Sequence, residues 1–575
     1  MSPSVRPGAE ETATAGSPAS GPELARSYGE LILQEAPRVL GLMDRERLSP
    51  TVGCCDRTYW AWKFTDFPGA RFQESLCTLA FLYSTALPGS SYQGSERLLE
   101  WIEWGLDFWC RLQYPDGSFD EAYPHERSLA ATAFTSFYIA ETLGFLADDL
   151  AEESRRRVIA ALERAGRWLS KNDETHGVLS NHLAAAAAAL HHVHLLTDDP
   201  GYLARSRYFV DRILEHQSTE GWYEEYGGAD PGYQTHGSFY LVRLWQLSAE
   251  DRLRTSLASA MHFLAHFIHP DGSLGGEYAS RNTKTYYPAA FETWRTEDAA
   301  AAWIAERMRG VVGEAAAVGL RAVDAYNYFP MLNNLVFSFC ALRGAGKAPV
   351  AAREPSPETG LVWFPEAGMA RLRTRSLDTW VGTAKGGVVL VFDRRSRRLL
   401  LRDCGYVGRL RDGRVIASQY QDPERRVSVA EERIVVEGRF CEVTRPVFTP
   451  FRFLGFRLFS LTLGRIAPLA HWLKRLLVRV LIYKRSELDI RFERILEIDA
   501  DQLAVRDRLA GGAGLEVEAL FWEPCFATVH MGSSRYFVES ELGGPAAVHL
   551  DSSELAAGIR LDRRVSAPSP GVPRE

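Results

Sequence analysis

The chain of 575 residues carries a formal net charge of −7 and has a sequence pI of about 6.1. Its apolar content of 46% and charged content of 24% are ordinary for a globular protein, and its length allows two or more domains. The acidic balance excludes a generally basic surface of the kind that binds nucleic acid, so we predict no nucleic-acid partner.

The N-terminal segment, MSPSVRPGAEETATAGSPASGPE, has no apolar run after a basic start, so it does not read as a secretory signal. Its composition predicts a disordered tail over residues 1–27. The eight cysteines show neither metal-ligand spacing nor a compact disulfide framework. We therefore predict reduced thiols, a cytoplasmic protein, no metal and no cofactor.

Residues 28–345 are predicted to be helical, with apolar residues at helical spacing in about a dozen segments. Small polar turns with glycine follow several of these segments, at Gly117, Gly177, Gly221 and Gly272. Their separation of roughly 45 to 60 residues is typical of helix-pair repeats. The segment LAAAAAALHHV is small and apolar almost all round, as in the inner ring of a helical toroid. The prediction is an incomplete α/α toroid whose polar turns gather at one cleft.

The sequence changes character after a Pro-rich linker over residues 346–360. Short runs rich in Val, Ile and aromatic residues follow, separated by turns. They predict an antiparallel β-sandwich domain over residues 361–566, and the end of the chain, residues 567–575, is predicted to be a disordered tail.

A basic segment interrupts this domain at residues 451–485, where eight Arg or Lys occur without any Asp or Glu. Charges break its apolar runs, so it is not a transmembrane span. One interpretation is a set of helices that pack on the sheet with basic residues in water. The other is a basic amphipathic surface that contacts a partner or anionic lipid, which would place the protein peripherally at the inner face of the membrane. The oligomeric state is not predicted.

Two clusters carry the candidate catalytic residues. Tyr233 and His236 lie three residues apart at the start of a helix, so they share a face and are suited to donate and accept protons. Asn181 can hold a carboxylate without charge, and His182 is suited to act as a base. The alternative is structural: Tyr233 packs, His236 satisfies a neighbour, and Ser180 or Asn181 caps a helix.

Further polar or aromatic clusters follow the other turns and predict contacts with a ligand. Arg281, for example, is suited to pair with a carboxylate through two hydrogen bonds. The predicted substrate-binding residues are Arg57, Trp60, Glu121, His125, Glu225, Glu277, Arg281 and Tyr286. A phosphate-binding glycine loop and the HExxH, GxSxG, protein-kinase and DxDD motifs do not occur, which argues against those classes of enzyme.

With Asn-His at one helix start and Tyr-x-x-His in a Gly-rich loop, the chain resembles the heparinase II/III-like polysaccharide lyases and their alginate-lyase relatives over about residues 30–560. The resemblance implies that Asn181 and His182 neutralise a uronate carboxylate. It also implies that Tyr233 is the acid or base and that His236 is its partner. That family usually has a His-rich strand at the start of the β domain. The corresponding stretch here, GTAKGGVVLVFDRRSRRLLLRDCGY, has no His, and Lys385 stands in the region.

The predicted function is β-elimination of a uronate-containing glycan. One alternative is a glycoside hydrolase that uses Glu225 with Asp120 or Asp230 as acid and base. A second is a uronate C5-epimerase, which begins with the same proton abstraction. A third is a non-catalytic glycan-binding or scaffold protein of a polysaccharide biosynthesis system.

Overall fold

The computed structural model describes most of the chain. The described residues are 21–174, 177–312, 318–344, 347–422, 424–443, 447–478, 486–499, 501–511, 515–526, 528, 536–537, 541–542, 548–550, 555 and 558–567. The predicted tails therefore lie largely outside the described residues, as does the end of the basic segment, residues 479–485.

Twelve α-helices build the N-terminal half of the described chain. They are α1 Gly21–Leu42, α2 Ser75–Ser84, α3 Glu96–Leu112, α4 Leu129–Leu146, α5 Glu152–Lys171, α6 Ser180–Thr197, α7 Pro200–Glu215, α8 Pro231–Ser248, α9 Asp251–Ala265, α10 Ala289–Trp294, α11 Ala299–Arg309 and α12 Ala325–Gly344. A π-helical turn at Thr58–Trp62 and a 3-10 turn at Ala70–Glu74 lie between α1 and α2.

The helices form two concentric layers, as predicted. Helices α2, α4, α6, α8, α10 and α12 contact one another in succession, and α12 returns to α2. The odd-numbered helices pack outside them. The small residues Ala184 to Ala189 of α6 are completely or almost completely buried, which explains why this helix is apolar all round. The α/α toroid predicted from the sequence is confirmed.

Helix α4 is long and apolar enough to cross a membrane by length and composition. However, 89% of its residues are buried inside the protein, among the other helices of the inner ring. Its apolar character is therefore accounted for by packing in the toroid core.

Three of the glycine turns share one geometry. Gly117, Gly221 and Gly272 have φ values of 99°, 99° and 85°. A Cβ on Gly117 would lie 2.1 Å from the carbonyl oxygen of Arg164, and one on Gly221 would lie 2.4 Å from that of Ser259. Only glycine allows each turn to pack this closely against the following outer helix. The repeat therefore brings the segments after the turns to the same end of the ring.

Helix α1 begins at Gly21, within the range that the sequence assigned to a tail. The reason is packing: Ala25 and Tyr28 are buried, and the Tyr28 hydroxyl donates to Glu292 Oε1 at 3.0 Å. The helix therefore belongs to the toroid from its first turn.

Antiparallel strands form two sheets in the C-terminal half. The first sheet has the order β1-β2-β3-β4-β5, and the second has the order β13-β12-β6-β7-β9-β10-β11-β14, with β8 paired to β9. The strands are β1 Gly360–Phe364, β2 Met369–Arg373, β3 Leu377–Gly382, β4 Val388–Asp393, β5 Leu399–Asp403, β6 Tyr406–Leu410, β7 Val415–Ala417, β8 Val427–Ala430, β9 Arg433–Glu442, β10 Glu487–Asp499, β11 Gln502–Gly511, β12 Val517–Trp522, β13 Val548–Leu550 and β14 Ile559–Ser566. A toroid followed by an antiparallel β domain confirms the predicted architecture.

The first sheet packs against turns of the toroid. Trp380 Nε1 donates to the carbonyl oxygen of His266 at 2.9 Å, and the His269 ring stacks on Phe392 with centroids 5.1 Å apart. Between β9 and β10, the segment that the sequence marked as basic forms helices α13 Pro450–Leu461 and α14 Ala467–Val478, joined by a 3-10 turn. We call residues 450–478 the helical insertion.

Candidate active site

Asn181 lies in the first turn of α6, at the end of the toroid where the polar turns gather. Its side chain is buried, and its main-chain N–H donates to Glu225 Oε1 at 2.9 Å. The helix starts without a side-chain cap, so the capping role considered for Ser180 or Asn181 is wrong. The Asn181 Oδ1 atom has no hydrogen-bond partner among the described residues. Glu225 therefore holds the main chain at Asn181, and the Asn181 side chain does not cap the helix.

His182 follows directly and is oriented by a carboxylate. Its Nδ1 lies 2.8 Å from Glu174 Oε2, and its ring meets Phe134 edge-on with centroids 5.5 Å apart. Because a carboxylate only accepts, Nδ1 donates to Glu174, and Nε2 lies on the other side of the ring. One fifth of the His182 side chain is exposed.

His236 lies in a sandwich of aromatic rings. Its imidazole stacks on Tyr287 with centroids 4.2 Å apart and planes 14° apart, and on Phe134 at 5.6 Å. Its Nε2 lies 3.1 Å from the Tyr240 hydroxyl, which donates in turn to Tyr138. Burial, and then the positive charge of Arg71, hold the pKa of His236 well below its usual value. The imidazole is consequently uncharged near neutral pH.

Tyr233 lies one turn before His236 at the start of α8. Asp230 caps this helix, and its Oδ1 accepts from the Tyr233 main-chain N–H at 3.1 Å. Burial, and then the neighbouring Tyr233, raise the pKa of Tyr226 well above its usual value. Tyr233 therefore lies close to Tyr226, and also to Tyr287, whose pKa is raised by burial and, to a lesser extent, by Tyr233.

Arg281 is tied to the same turn. Its main-chain N–H donates to Asp230 Oδ2 at 2.9 Å, and its Nη2 donates to the carbonyl oxygen of Tyr226 at 3.0 Å. Its guanidinium lies over the Tyr226 ring, 4.3 Å from the centroid. Burial raises the pKa of Asp230 to about 6. Arg281 thus positions the Tyr226–Asp230 turn rather than extending into solvent.

Arg71 is a cleft residue that the sequence analysis missed. It lies over the Phe134 ring at 4.7 Å, and its Nη1 donates to Glu121 Oε1 at 3.1 Å. Burial acts to raise the pKa of Glu121, but the charges of Arg71 and His182 outweigh it and lower that pKa. Glu121 is therefore an ionised residue that faces both Arg71 and His182.

The helical insertion of the β domain reaches the rim of this cleft. Lys474 Nζ lies 3.0 Å from Glu126 Oε1, and the ring of Phe456 meets Tyr123 edge-on at 5.0 Å. The charge of Lys474 also contributes to the lowered pKa of Glu121, after those of Arg71 and His182. A residue more than 300 positions away in the sequence thus belongs to the polar surroundings of the toroid cleft.

His125 lies at the same rim, with its main-chain N–H donating to Asp120 Oδ2 at 2.7 Å. Burial, and then Arg465 of the insertion, lower the pKa of His125. Asp120 also accepts from the Tyr114 hydroxyl at 2.6 Å and from the Arg127 main-chain N–H at 2.9 Å. Asp120 is therefore occupied in holding its loop, which does not fit the hydrolytic alternative.

Three residues predicted to contact a ligand have partners within the protein. Tyr286 is buried and stacks on Phe291 at 5.4 Å, and the neighbouring Tyr287 faces His236 in its place. Arg57 and Trp60 donate to the main chain at the end of α1, to Gly41 at 2.7 Å and Leu42 at 2.8 Å.

Glu277 turns toward the β domain, with Oε1 2.6 Å from Lys284 Nζ. Burial acts to raise the pKa of Glu277, but the charges of Lys284 and Arg402 outweigh it and lower that pKa to about 2. Glu277 is thus part of a buried ionic network between the domains. This network explains the buried charge of Glu277 without a bound ligand.

Lys385 enters the site from the loop between β3 and β4. Its side chain is buried, and Nζ donates to the carbonyl oxygen of Ser280 at 2.9 Å. Burial lowers the pKa of Lys385 to about 7. No group of three or more His, Cys, Asp or Glu is placed to hold a metal ion within the described part of the chain. Lys385 is thus a buried amine that joins the β domain to the toroid through Ser280.

Comparisons with known proteins agree with this architecture. Residues 69–290 match the family model described as the ulvan lyase N-terminal domain. That range contains all four predicted catalytic residues and Arg71. No curated protein matches the chain.

The chain is also similar to solved structures. One is the chondroitin AC lyase of Streptomyces coelicolor A3 in complex with chondroitin sulphate, at 14% identity and a TM-score of 0.52, covering 88% of this chain and 69% of that one. A tyrosine-to-alanine mutant of that enzyme gives 12% identity and a TM-score of 0.50 over the same shares. Heparinase III gives 10% identity and a TM-score of 0.47, covering 87% of this chain and 72% of that one. The first two show that this chain shares their fold, and residues 69–290 are similar to the N-terminal domain of ulvan lyases.

Proposed function

We propose that the enzyme cleaves a uronate-containing glycan by β-elimination in the cleft formed by the starts of α6 and α8. The observation that supports the proposal is that His182 and His236 both contact the Phe134 ring, while Asn181 precedes His182 in α6 and Tyr233 lies one turn before His236 in α8. Asn181 and His182 bind the uronate carboxylate, so that charge developing on it in the enolate-like state is stabilised. Arg71 adds a fixed positive charge nearby.

Tyr233 and His236 form the proton-transfer pair. His236 is uncharged because burial lowers its pKa, which suits a group that accepts the proton α to the carboxylate. A phenol hydroxyl is suited to donate a proton to the leaving glycosidic oxygen. In the reaction the C–H bond α to the carboxylate and the β C–O bond break. A carbon–carbon double bond forms between the two carbons, and the leaving oxygen takes up a proton.

The carboxylates considered for hydrolysis form hydrogen bonds within the protein. Asp230 accepts hydrogen bonds from the main chains of Tyr233 and Arg281 and from the Thr283 hydroxyl. Glu225 is fully buried under Asn181, and burial raises its pKa well above the usual value. These carboxylates support the site rather than line it, which favours elimination over hydrolysis.

The test is an absorbance assay for the unsaturated uronate on heparan, chondroitin, hyaluronan, alginate and bacterial uronate polymers. We expect Tyr233→Phe to lower the rate at least about 100-fold, as for loss of a general acid or base. Tyr286→Phe is the matched control, because it also removes a phenol hydroxyl, but from a buried tyrosine outside the cleft. New reducing ends without absorbance would indicate hydrolysis, and solvent deuterium uptake without cleavage would indicate epimerisation. Either result would overturn the proposal.

We further propose that the enzyme works in the cytoplasm. The thiols of Cys54, Cys55, Cys77 and Cys404 are buried and form no disulfide, as is usual in a reducing compartment. Fractionation of cells that produce the full chain tests this, and recovery only from the medium or an oxidising compartment would contradict it.

A further inference from the structure

The outer face of the helical insertion exposes an unusual amount of apolar surface. In α13, Phe451, Leu454, Leu458 and Leu461 are 86%, 66%, 65% and 41% exposed. Their spacing of three, four and three residues places them on one face of the helix. The insertion's other large exposed apolar side chains are Phe453, Leu463, Ile466, Trp472 and Leu476. Contiguous surfaces of this kind mark interaction sites in monomeric proteins.

The other side of the helical insertion contacts the toroid. Phe456 packs against Tyr123, and the Arg457 guanidinium lies 2.8 Å from Asp66 Oδ1. These contacts fix the insertion on the toroid, with its apolar stripe directed away from it. The loop that Arg457 holds carries two further exposed aromatic side chains, Trp62 at 68% and Phe64 at 92%. The apolar surface is therefore held in place by the folded protein.

The charged side chains that the insertion itself contributes are all positive. Residues 443–486 contain nine Arg or Lys and no Asp or Glu. Of these, Arg452, Arg465 and Arg475 are exposed on the helical insertion itself. A second copy of the chain would bring the same positive face against its own, which opposes self-association. An anionic lipid surface is complementary in charge and also accepts apolar side chains.

Each helix of the insertion has twelve residues, too few to span a bilayer. Short helices with Phe, Leu and Trp on one side and arginines beside them are suited to lie in the plane of the membrane interface. We propose that the outer face of the helical insertion is a docking surface for an anionic bilayer. Docking there places the membrane beside the cleft rim at Lys474 and Glu126. The inference does not depend on the proposed function.

The experiment is cosedimentation of the full chain with vesicles of phosphatidylcholine alone or with 30% phosphatidylglycerol. We expect a partition coefficient at least about tenfold higher on the anionic vesicles, and weaker binding at high salt. Leu454→Ser/Leu458→Ser/Trp472→Ser and Arg452→Glu/Arg475→Glu should each lower binding about tenfold or more. Leu48→Ser changes an isolated leucine, 96% exposed on the toroid, and should bind as wild type does.

Equal sedimentation of the wild type with and without vesicles would overturn the proposal, and so would equal binding by all four proteins. A wild-type dimer that the triple variant dissociates, without vesicle binding, would assign the face to self-association instead. Lyase activity on soluble glycan is measured in parallel. The insertion variants should retain it, so a failure of the membrane proposal is distinct from a failure of the proposed reaction.

Discussion

The imidazole of His236 lies against the ring of Tyr287, with centroids 4.2 Å apart and planes 14° apart. The two residues belong to different segments, α8 and the loop before α10, so this stack joins two repeats of the toroid at the cleft. It also buries the imidazole, and burial is the first cause of its lowered pKa.

The stack predicts a difference between two substitutions of Tyr287. Tyr287→Phe keeps the ring and should retain activity, whereas Tyr287→Leu should lower kcat about 2- to 10-fold, given the free energy of an aromatic pair. Steady-state kinetics on the best glycan substrate measure this, with Tyr286→Phe as the control at the adjacent tyrosine. Equal kcat for the Phe and Leu variants would show that the stack does not position His236.

Glu225 is predicted to act as a neutral support for Asn181. Because burial raises its pKa well above the usual value, Glu225→Gln should leave the free energy of unfolding within about 1 kcal/mol of wild type. Glu225→Ala leaves the buried N–H of Asn181 without its acceptor and should cost about 1–3 kcal/mol, with a loss of activity. Denaturant unfolding and turnover test both variants. Loss of activity in the Gln variant would instead assign Glu225 a charged or proton-transfer role.

The stability of the protein is predicted to depend on pH through His266. This residue lies at the domain interface, with Nδ1 2.7 Å from Ser356 Oγ. Burial lowers the pKa of His266 from 6.5 to about 3, so the unfolded chain binds a proton at this residue before the folded protein does. Above about pH 6.5 His266 is uncharged in both states and does not lower the free energy of unfolding. As the pH falls from 6.5 toward 3, protonation of His266 in the unfolded chain lowers the free energy of unfolding progressively. The Tm of His266→Gln should fall less steeply with acidification than that of wild type. The exposed His216→Gln should follow the wild-type curve, and identical slopes for all three proteins would contradict this account.

Replacement of glycine by alanine is predicted to have opposite effects on stability at a glycine turn and inside a helix. Gly221→Ala puts a methyl group against the Ser259 carbonyl at a positive φ and should destabilise the protein by about 2 to 4 kcal/mol. Gly144→Ala in α4 meets no atom within 4 Å and should stabilise it by up to about 1 kcal/mol. Denaturant unfolding measures both. A neutral Gly221→Ala would show that the turn can shift without cost.

Several features of this protein follow from the sequence alone. The helical periodicity, the recurrent glycine turns and the change to β-rich runs predict a toroid followed by an antiparallel β domain. These signals are local, because periodicity and turn chemistry are set by neighbouring residues. The pairs Asn181–His182 and Tyr233–His236 are predicted in the same way, since each lies at a helix start directly after a polar turn.

Only the tertiary structure decides which other side chains face the cleft. Tyr286 and Tyr287 are chemically identical neighbours, and the path of one loop turns the second toward His236 and the first toward Phe291. Arg71 and Lys474 join the site through contacts between segments distant in sequence, which no local pattern records. Composition showed that the helical insertion is basic and apolar. Packing determined which of its faces contacts the toroid and which is exposed, because burial depends on the whole fold.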